Sequence, residues 1–213
     1  MEAYPIMLSI KGKEAVVVGG GAIAYRKMIG LLQAGALVTV VSPELHEKVE
    51  QLYLESRIEW KKKEFEPPDI SSAWVVIAAT NSHVVNELVA LSAENHQLIN
   101  IVDNPEASNF HVPAKLTRGD LTISVATAGA SPTLAKAIRD ELSLIYDESY
   151  RDYLQFLAEV RDKIRHSTLD QAAKKQYLKE VTSDTFRQSN EKQQGIIKLL
   201  DGFLSEGTIR SKR

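Results

Sequence analysis

Ala15-Val16-Val17-Val18-Gly19-Gly20-Gly21-Ala22-Ile23-Ala24 sets a run of small and β-branched apolar residues directly against three glycines. A helix-like pattern continues through Tyr25-Arg26-Lys27-Met28-Ile29-Gly30-Leu31-Leu32. The stretch reads as strand, tight turn, helix. Gly19, Gly21 and Ala24 fall at the G-x-G-x-x-G/A spacing of a dinucleotide-binding βαβ unit. Gly19 lets the chain turn, Gly21 lets the backbone approach a pyrophosphate, and small Ala24 lets the helix pack on the strand. The opening N–H groups of the helix, at Ala22 and Ile23, then face the phosphates with a partial positive charge behind them.

Working outward, Gly35 suits the position just past a helix, and Leu37-Val38-Thr39-Val40-Val41 supplies the second strand. The acidic residue that commonly ends this strand and binds the ribose 2′-hydroxyl is absent. Ser42-Pro43 stands there, with Glu44 beyond. Ser42 can hydrogen-bond a ribose, and no arginine is present to receive a 2′-phosphate, so NAD is expected rather than NADP. Proline in the first turn predicts a helix over 43–52. Ile58–Lys63 alternates as a further strand, and its lysines read as a solvated face rather than a nucleic-acid site, since no second basic cluster with aromatics accompanies them.

Trp74-Val75-Val76-Ile77-Ala78-Ala79 is a continuous apolar run, expected of a strand buried on both faces. It ends in Thr80-Asn81-Ser82, where a ligand sits in an open parallel sheet and where a helix cap is also favoured. Leu98–Val102 is the next strand and delivers Asp103 ahead of Asn104-Pro105. Asp103 reads in two ways: a partly desolvated carboxylate with a raised pKa acting as general base, or an Asx-type turn former. Tyr4–Ile10 reads as a short edge segment.

After Pro113 the pattern changes. Leu121–Thr127 alternates with period two behind a turn at Gly119-Asp120, placing Thr122 and Ser124 on one face. Ser131-Pro132 opens a helix, either as a plain cap or as a second anion site near Lys136 and Arg139. From Tyr146 onward amphipathic stripes recur: Tyr153, Phe156, Leu157, Val160 and Ile164, then Leu169 to Val181, then Ile196 to Phe203. The tail from Gly207 reads as frayed.

The 213 residues are 44% hydrophobic and 25% charged, an ordinary globular composition with a net charge of −2. The first half carries an acidic excess and the second a basic one. Absence of cysteine excludes disulfides, thiolate metal sites and cysteine nucleophiles. His83, His96 and His111 show no metal-ligand spacing, so no metal is expected. Neither a signal-peptide pattern nor a run of membrane-spanning length is seen, and a cytoplasmic location is expected.

The motifs in this order resemble the precorrin-2 dehydrogenase family, the N-terminal module of sirohaem synthases. The resemblance is carried by Val18–Gly21 with Ala24, Arg26 and Lys27, then Leu31–Ala36, Val38–Pro43, Ala78–Asn81 and Asn100–Asp103. Asn109-Phe110 with Pro113-Ala114, Arg118–Leu121 and Gly129–Pro132 with Leu134-Ala135 complete it. It implies an α/β fold: a Rossmann-type parallel sheet over 1–112, a short α+β dimerisation segment over 113–145, and an all-helical C-terminal domain over 146–213.

It further implies NAD-dependent oxidation of precorrin-2 to sirohydrochlorin in sirohaem biosynthesis, by a homodimer acting on a tetrapyrrole. Iron insertion is carried out by some members and left to a separate chelatase by others. The family's important aspartate falls on Asp103. Gly19, Gly21, Ala22, Ile23, Ser42, Pro43, Thr80 and Asn81 would hold the cofactor. The family's serine before the helix is replaced by Thr127, with Ser124 the other hydroxyl able to reach the site. Lys115, Arg118, Lys136 and Arg139 are candidates to hold the substrate's carboxylates. The competing readings are a bifunctional dehydrogenase and ferrochelatase, and a non-catalytic NAD-binding sensor.

Overall fold

The computed structural model describes residues 3–210, with side chains as far as Leu204. Its chain divides at Val112/Pro113 into two compact units.

The first unit is built on β1 (Glu14–Val18), α1 (Ala22–Gln33), β2 (Leu37–Val41), α2 (Glu47–Leu54), β3 (Glu59–Lys61), β4 (Val75–Ala78), α3 (His83–Ser92) and β5 (Leu98–Ile101). The strands form one parallel sheet in the order β3-β2-β1-β4-β5. Period two along each strand splits the apolar residues between two cores. Ala15, Val17, Val38, Val40, Val75 and Ile77 face Ala24, Met28 and Leu31 of α1 and Val49 and Leu52 of α2. Val16, Val18, Val76, Ala78, Ile99 and Ile101 face Val89 of α3 and Ile70. Burial on both faces is why β1 and β4 read as unbroken apolar runs. Strand order reverses between β1 and β4, so the crevice where ligands bind in such sheets opens beyond Val18 and Ala78.

Two local expectations are corrected. Tyr4–Leu8 forms no strand; the segment is exposed and joins the core only at Ile10. The helix expected from Pro43 begins at Glu47, where His46 Nδ1 caps the N–H of Lys48 at 3.3 Å. Residues 43–45 instead form a loop tied down by the hydrogen bond from the His46 N–H to the Gly20 carbonyl, 2.8 Å.

The second unit pairs β6 (Ala114–Arg118) with β7 (Leu121–Val125) in an antiparallel hairpin, turned at Gly119 with φ of +57°. The turn and β7 are legible in the sequence, but β6 is not, because its half-exposed residues carry little pattern. Next come α4 (Pro132–Ile145), α5 (Ser149–His166), α6 (Gln171–Glu180), α7 (Asp184–Arg187) and α8 (Asn190–Arg210). Tyr153, Phe156, Val160 and Ile164 of α5 bury against Val181, Phe186, Ile196 and Leu200, so the amphipathic stripes meet in one core. The Tyr153 hydroxyl inside it donates to the Val181 carbonyl at 2.6 Å. The tail expected to fray from Gly207 continues in α8 to Arg210, and residues 211–213 lie outside the described residues. Among the described residues no helix is long and apolar enough to cross a membrane.

Candidate functional site

The three glycines do three different jobs. Gly19 adopts φ of +111°, and a Cβ there would stand 2.5 Å from the Ala79 carbonyl oxygen, so the turn out of β1 presses against the end of β4. A Cβ on Gly20 would meet the Glu44 carbonyl at 2.2 Å, because the loop after β2 lies on it. At Gly21 a Cβ would meet nothing within 4 Å.

Gly21 is also the N-cap of α1 and has no side chain to offer it. The first helical bond runs from the Tyr25 N–H to the Gly21 carbonyl, leaving the N–H groups of Ala22, Ile23 and Ala24 without an intrahelical acceptor. Gly21, Ala22 and Ile23 are exposed at this point, while Ala24 is fully buried on the sheet. Open donors, a positive helix end and room above them fit the diphosphate of a dinucleotide.

Ser42 is drawn into the fold. It is buried, and its hydroxyl donates to the Glu44 carbonyl at 2.7 Å, which holds the loop that Gly20 supports. Its proton serves the fold, and Pro43 is the exposed neighbour.

Across the switch point, Thr80 and Asn81 follow β4, with Asn81 exposed. Ser82 caps α3 by accepting the Val85 N–H at 3.4 Å. Asn86, fully buried, was not singled out in the sequence because it sits among apolar residues of α3. Its Oδ1 accepts the Thr80 N–H at 3.2 Å and the Thr80 hydroxyl at 2.7 Å, and its Nδ2 donates to Asp103 Oδ1 at 2.9 Å. The other Asp103 oxygen meets His83 Nδ1 at 3.0 Å. One buried amide thus joins the ends of β4 and β5, and the first residue of α3 completes the group.

Asp103 is no turn former. That role falls on Asn104, whose Oδ1 accepts the N–H groups of Glu106 and Ala107. Nor is its pKa raised. The His83 hydrogen bond holds the carboxyl below the usual range, aided by Asn86 and opposed by modest desolvation. The same bond, with the charge of Asp103, raises the His83 imidazole. His83 was considered in the sequence only as a metal ligand; its pairing with a residue 20 positions away is a product of the fold. Lys27 lies on α1 with Nζ 3.0 Å from Asn100 Oδ1, and its pKa is lowered by burial and then by Arg26.

The other expected site residues belong to the second unit. Ser124 is exposed on β7, paired in register with Lys115, and Lys136 is exposed on α4. Thr127 holds the turn before α4: its hydroxyl accepts the Ser131 N–H at 3.1 Å and its carbonyl that of Ala130 at 2.8 Å. Ser131 is a plain cap, accepting the Leu134 N–H. Arg118 is already engaged within the second unit. Its side chain is only 17% exposed, and the guanidinium donates from Nε to the Tyr146 carbonyl at 3.1 Å and lies 3.3 Å from Glu148. It ties the hairpin to the end of α4, where unpaired carbonyls favour a cation. Arg139 contacts Asp140 at 2.6 Å. A cavity of about 440 Å³ between β7 and α5 is lined by Leu121, Thr122, Leu154, Leu157 and Arg161, and by none of these candidates. Among the described residues no three His, Asp or Glu side chains are grouped to hold a metal.

Comparison with known proteins covers most of the chain. Residues 6–114 match a family described as putative NAD(P)-binding, residues 118–143 the sirohaem biosynthesis protein central family, and residues 150–196 the SirC C-terminal domain. The precorrin-2 dehydrogenase of Priestia megaterium is 36% identical over 94% of this chain and 99% of its own length. That of Bacillus subtilis (strain 168) is 35% identical over 75% and 98%. The siroheme synthase of Methylobacillus flagellatus is 38% identical over 78% of this chain but only 36% of its own length. A solved structure of SirC, precorrin-2 dehydrogenase, superposes with a TM-score of 0.83 at 35% identity, covering 94% of this chain and all of the other. A parallel sheet with an open glycine-turn helix end, matched over nearly the full length of two such enzymes, places this chain in the precorrin-2 dehydrogenase family.

Proposed function

We propose that this chain oxidises precorrin-2 to sirohydrochlorin with NAD as hydride acceptor, a step of sirohaem biosynthesis. The observation that carries this reading is the end-to-end match to the Priestia megaterium precorrin-2 dehydrogenase. The geometry supports it. Bound NAD would supply the two-electron acceptor, and the chain's own groups would hold it and manage the accompanying proton. The Ala22 and Ile23 N–H groups would take the diphosphate over Gly19 and Gly21. Pro43 would border the adenosine end, and Thr80 and Asn81 the opposite side of the crevice.

Asp103 is the acidic group we assign to the proton side of the reaction, and Ser124 and Lys136 are assigned to the tetrapyrrole's carboxylates. NAD is favoured over NADP because the loop from Ser42 to Glu47 carries two glutamates and neither lysine nor arginine. We further assign residues 1–112 to nucleotide binding, 113–145 to dimerisation and 146–213 to a helical domain. On this assignment the enzyme is a cytoplasmic homodimer. The relatives matched along their whole length carry the dehydrogenase name, whereas the synthases match over less than half of theirs. That difference sets the dehydrogenase ahead of iron insertion or a non-catalytic sensor.

Anaerobic incubation of the full chain with precorrin-2 and NAD tests the reading. Sirohydrochlorin and NADH should appear in equal amounts, more slowly with NADP. Binding of NAD with no change in the tetrapyrrole spectrum would overturn it.

A further inference from the structure

We infer that His83, held by Asp103, is the group that takes the proton released when the tetrapyrrole is oxidised. This rests on the dehydrogenase reading above and deepens it.

Asp103 has both oxygens engaged, one by Asn86 Nδ2 at 2.9 Å and one by His83 Nδ1 at 3.0 Å. A carboxylate gripped by two donors is a weak base, because its negative charge is already stabilised. The neutral imidazole places its proton on Nδ1, toward the carboxylate, so Nε2 keeps its lone pair. The His83 side chain is 66% exposed, which leaves room for a substrate to approach.

Asn86, fully buried and itself fixed by Thr80, sets the carboxylate that sets the imidazole. The order buried amide, carboxylate, imidazole, open Nε2 is that of an oriented general base. It stands beyond the carboxyl ends of β4 and β5, the edge where this fold presents ligands.

The balance is simple. Oxidation removes two hydrogens from the macrocycle: one leaves with both electrons of its bond as hydride to the nicotinamide, and the other leaves as a proton to His83 Nε2. The imidazolium then releases that proton to water. Among the described residues, Asp103 at the end of β5 and Glu87 one turn along α3 bear on the ring, both favouring the protonated form after transfer. Asp103 is the positioning residue, and His83 touches the reacting proton.

The test uses the full chain, H83A and D103N. Rates with precorrin-2 and NAD are followed across pH, NAD affinity is measured by calorimetry, and the imidazole is titrated by NMR. H83A should lose on the order of 10²-fold in kcat/KM. It should also lose the acidic limb of the pH profile, bind NAD as the parent does, and regain at least part of its rate with added imidazole. D103N should slow the reaction and move the limb to lower pH, together with the His83 titration. An H83A enzyme within about threefold of the parent, with the acidic limb intact, overturns the assignment, as does abolition of activity by D103N alone. A parent chain that makes no sirohydrochlorin overturns the dehydrogenase reading itself; an active parent beside an equally active H83A overturns only the role of His83.

Discussion

Asn86 reaches from inside α3 to Asp103 at the end of β5, donating from Nδ2 to Oδ1 at 2.9 Å. The same amide accepts the Thr80 N–H, so two strand ends are registered through one buried side chain. Replacing it with leucine keeps the branched shape, adds bulk and removes every partner. Asn86→Leu should cost about 2–4 kcal/mol, since the half-buried Thr80 N–H and the Asp103 carboxylate lose their bonds together in a tightly packed site. Chemical denaturation checks the stability. The NMR titration of His83 should fall with it, because Asp103 is no longer fixed.

The glycines should separate stability from binding. Gly19→Ala places a methyl against the Ala79 carbonyl at a φ of +111°, and Gly20→Ala places one against the Glu44 carbonyl. Each should destabilise the first unit by roughly 2 kcal/mol or more, through backbone that cannot move aside cheaply. Gly21→Ala meets no protein atom and should cost no more than about 1 kcal/mol, the loss of a favoured N-cap residue, while weakening NAD at least tenfold, because the methyl enters the space above the helix end. Thermal melts beside NAD calorimetry read the two effects. A stable Gly20→Ala would contradict the close approach of the loop after β2.

Arg118→Ala should act on the fold and not on substrate affinity. The guanidinium bonds the Tyr146 carbonyl and lies beside Glu148 within the second unit. Its loss should cost about 1.5–3 kcal/mol, the range for hydrogen bonds to charged groups. The KM for precorrin-2 should stay within twofold, a scale below one buried hydrogen bond. Denaturation and steady-state kinetics on the same preparation decide it.

The His83–Asp103 pair has a definite pH signature. The imidazole pKa is raised in the folded chain, so its contribution to stability is complete below the unfolded value of about 6.5 and is lost as pH rises through the folded value. The carboxyl pKa is lowered, so its contribution is present above the unfolded value of about 3.9 and is lost as pH falls through the folded value. The pair therefore stabilises most between about pH 4 and 6.5. Denaturation of the parent and of H83Q across pH should show the gap widest in that window and closing toward alkaline pH. Solvent exposure of both side chains keeps the gap small.

Local pattern carried much of this protein. Apolar runs at Ala15–Val18 and Val75–Ala79, the glycine spacing, and the three- and four-residue recurrence of Tyr153, Phe156, Val160 and Ile164 each report backbone geometry that a few neighbouring residues dictate. The sheet, the helix opening at Ala22 and the helical core followed from them, and so did the position of Asp103 at a strand end. Polar partners did not follow. Asn86 among valines looks like an irregularity of α3 until β5 brings Asp103 beside it, and His83 is an isolated histidine until the same approach is made. Ser42 and Arg118 read equally well as ligand contacts, and packing turned both inward to loop and helix-end carbonyls. Backbone preference is written in adjacent residues, whereas the use of a hydrogen-bonding side chain depends on which distant group arrives within 3 Å, and only the assembled chain settles that.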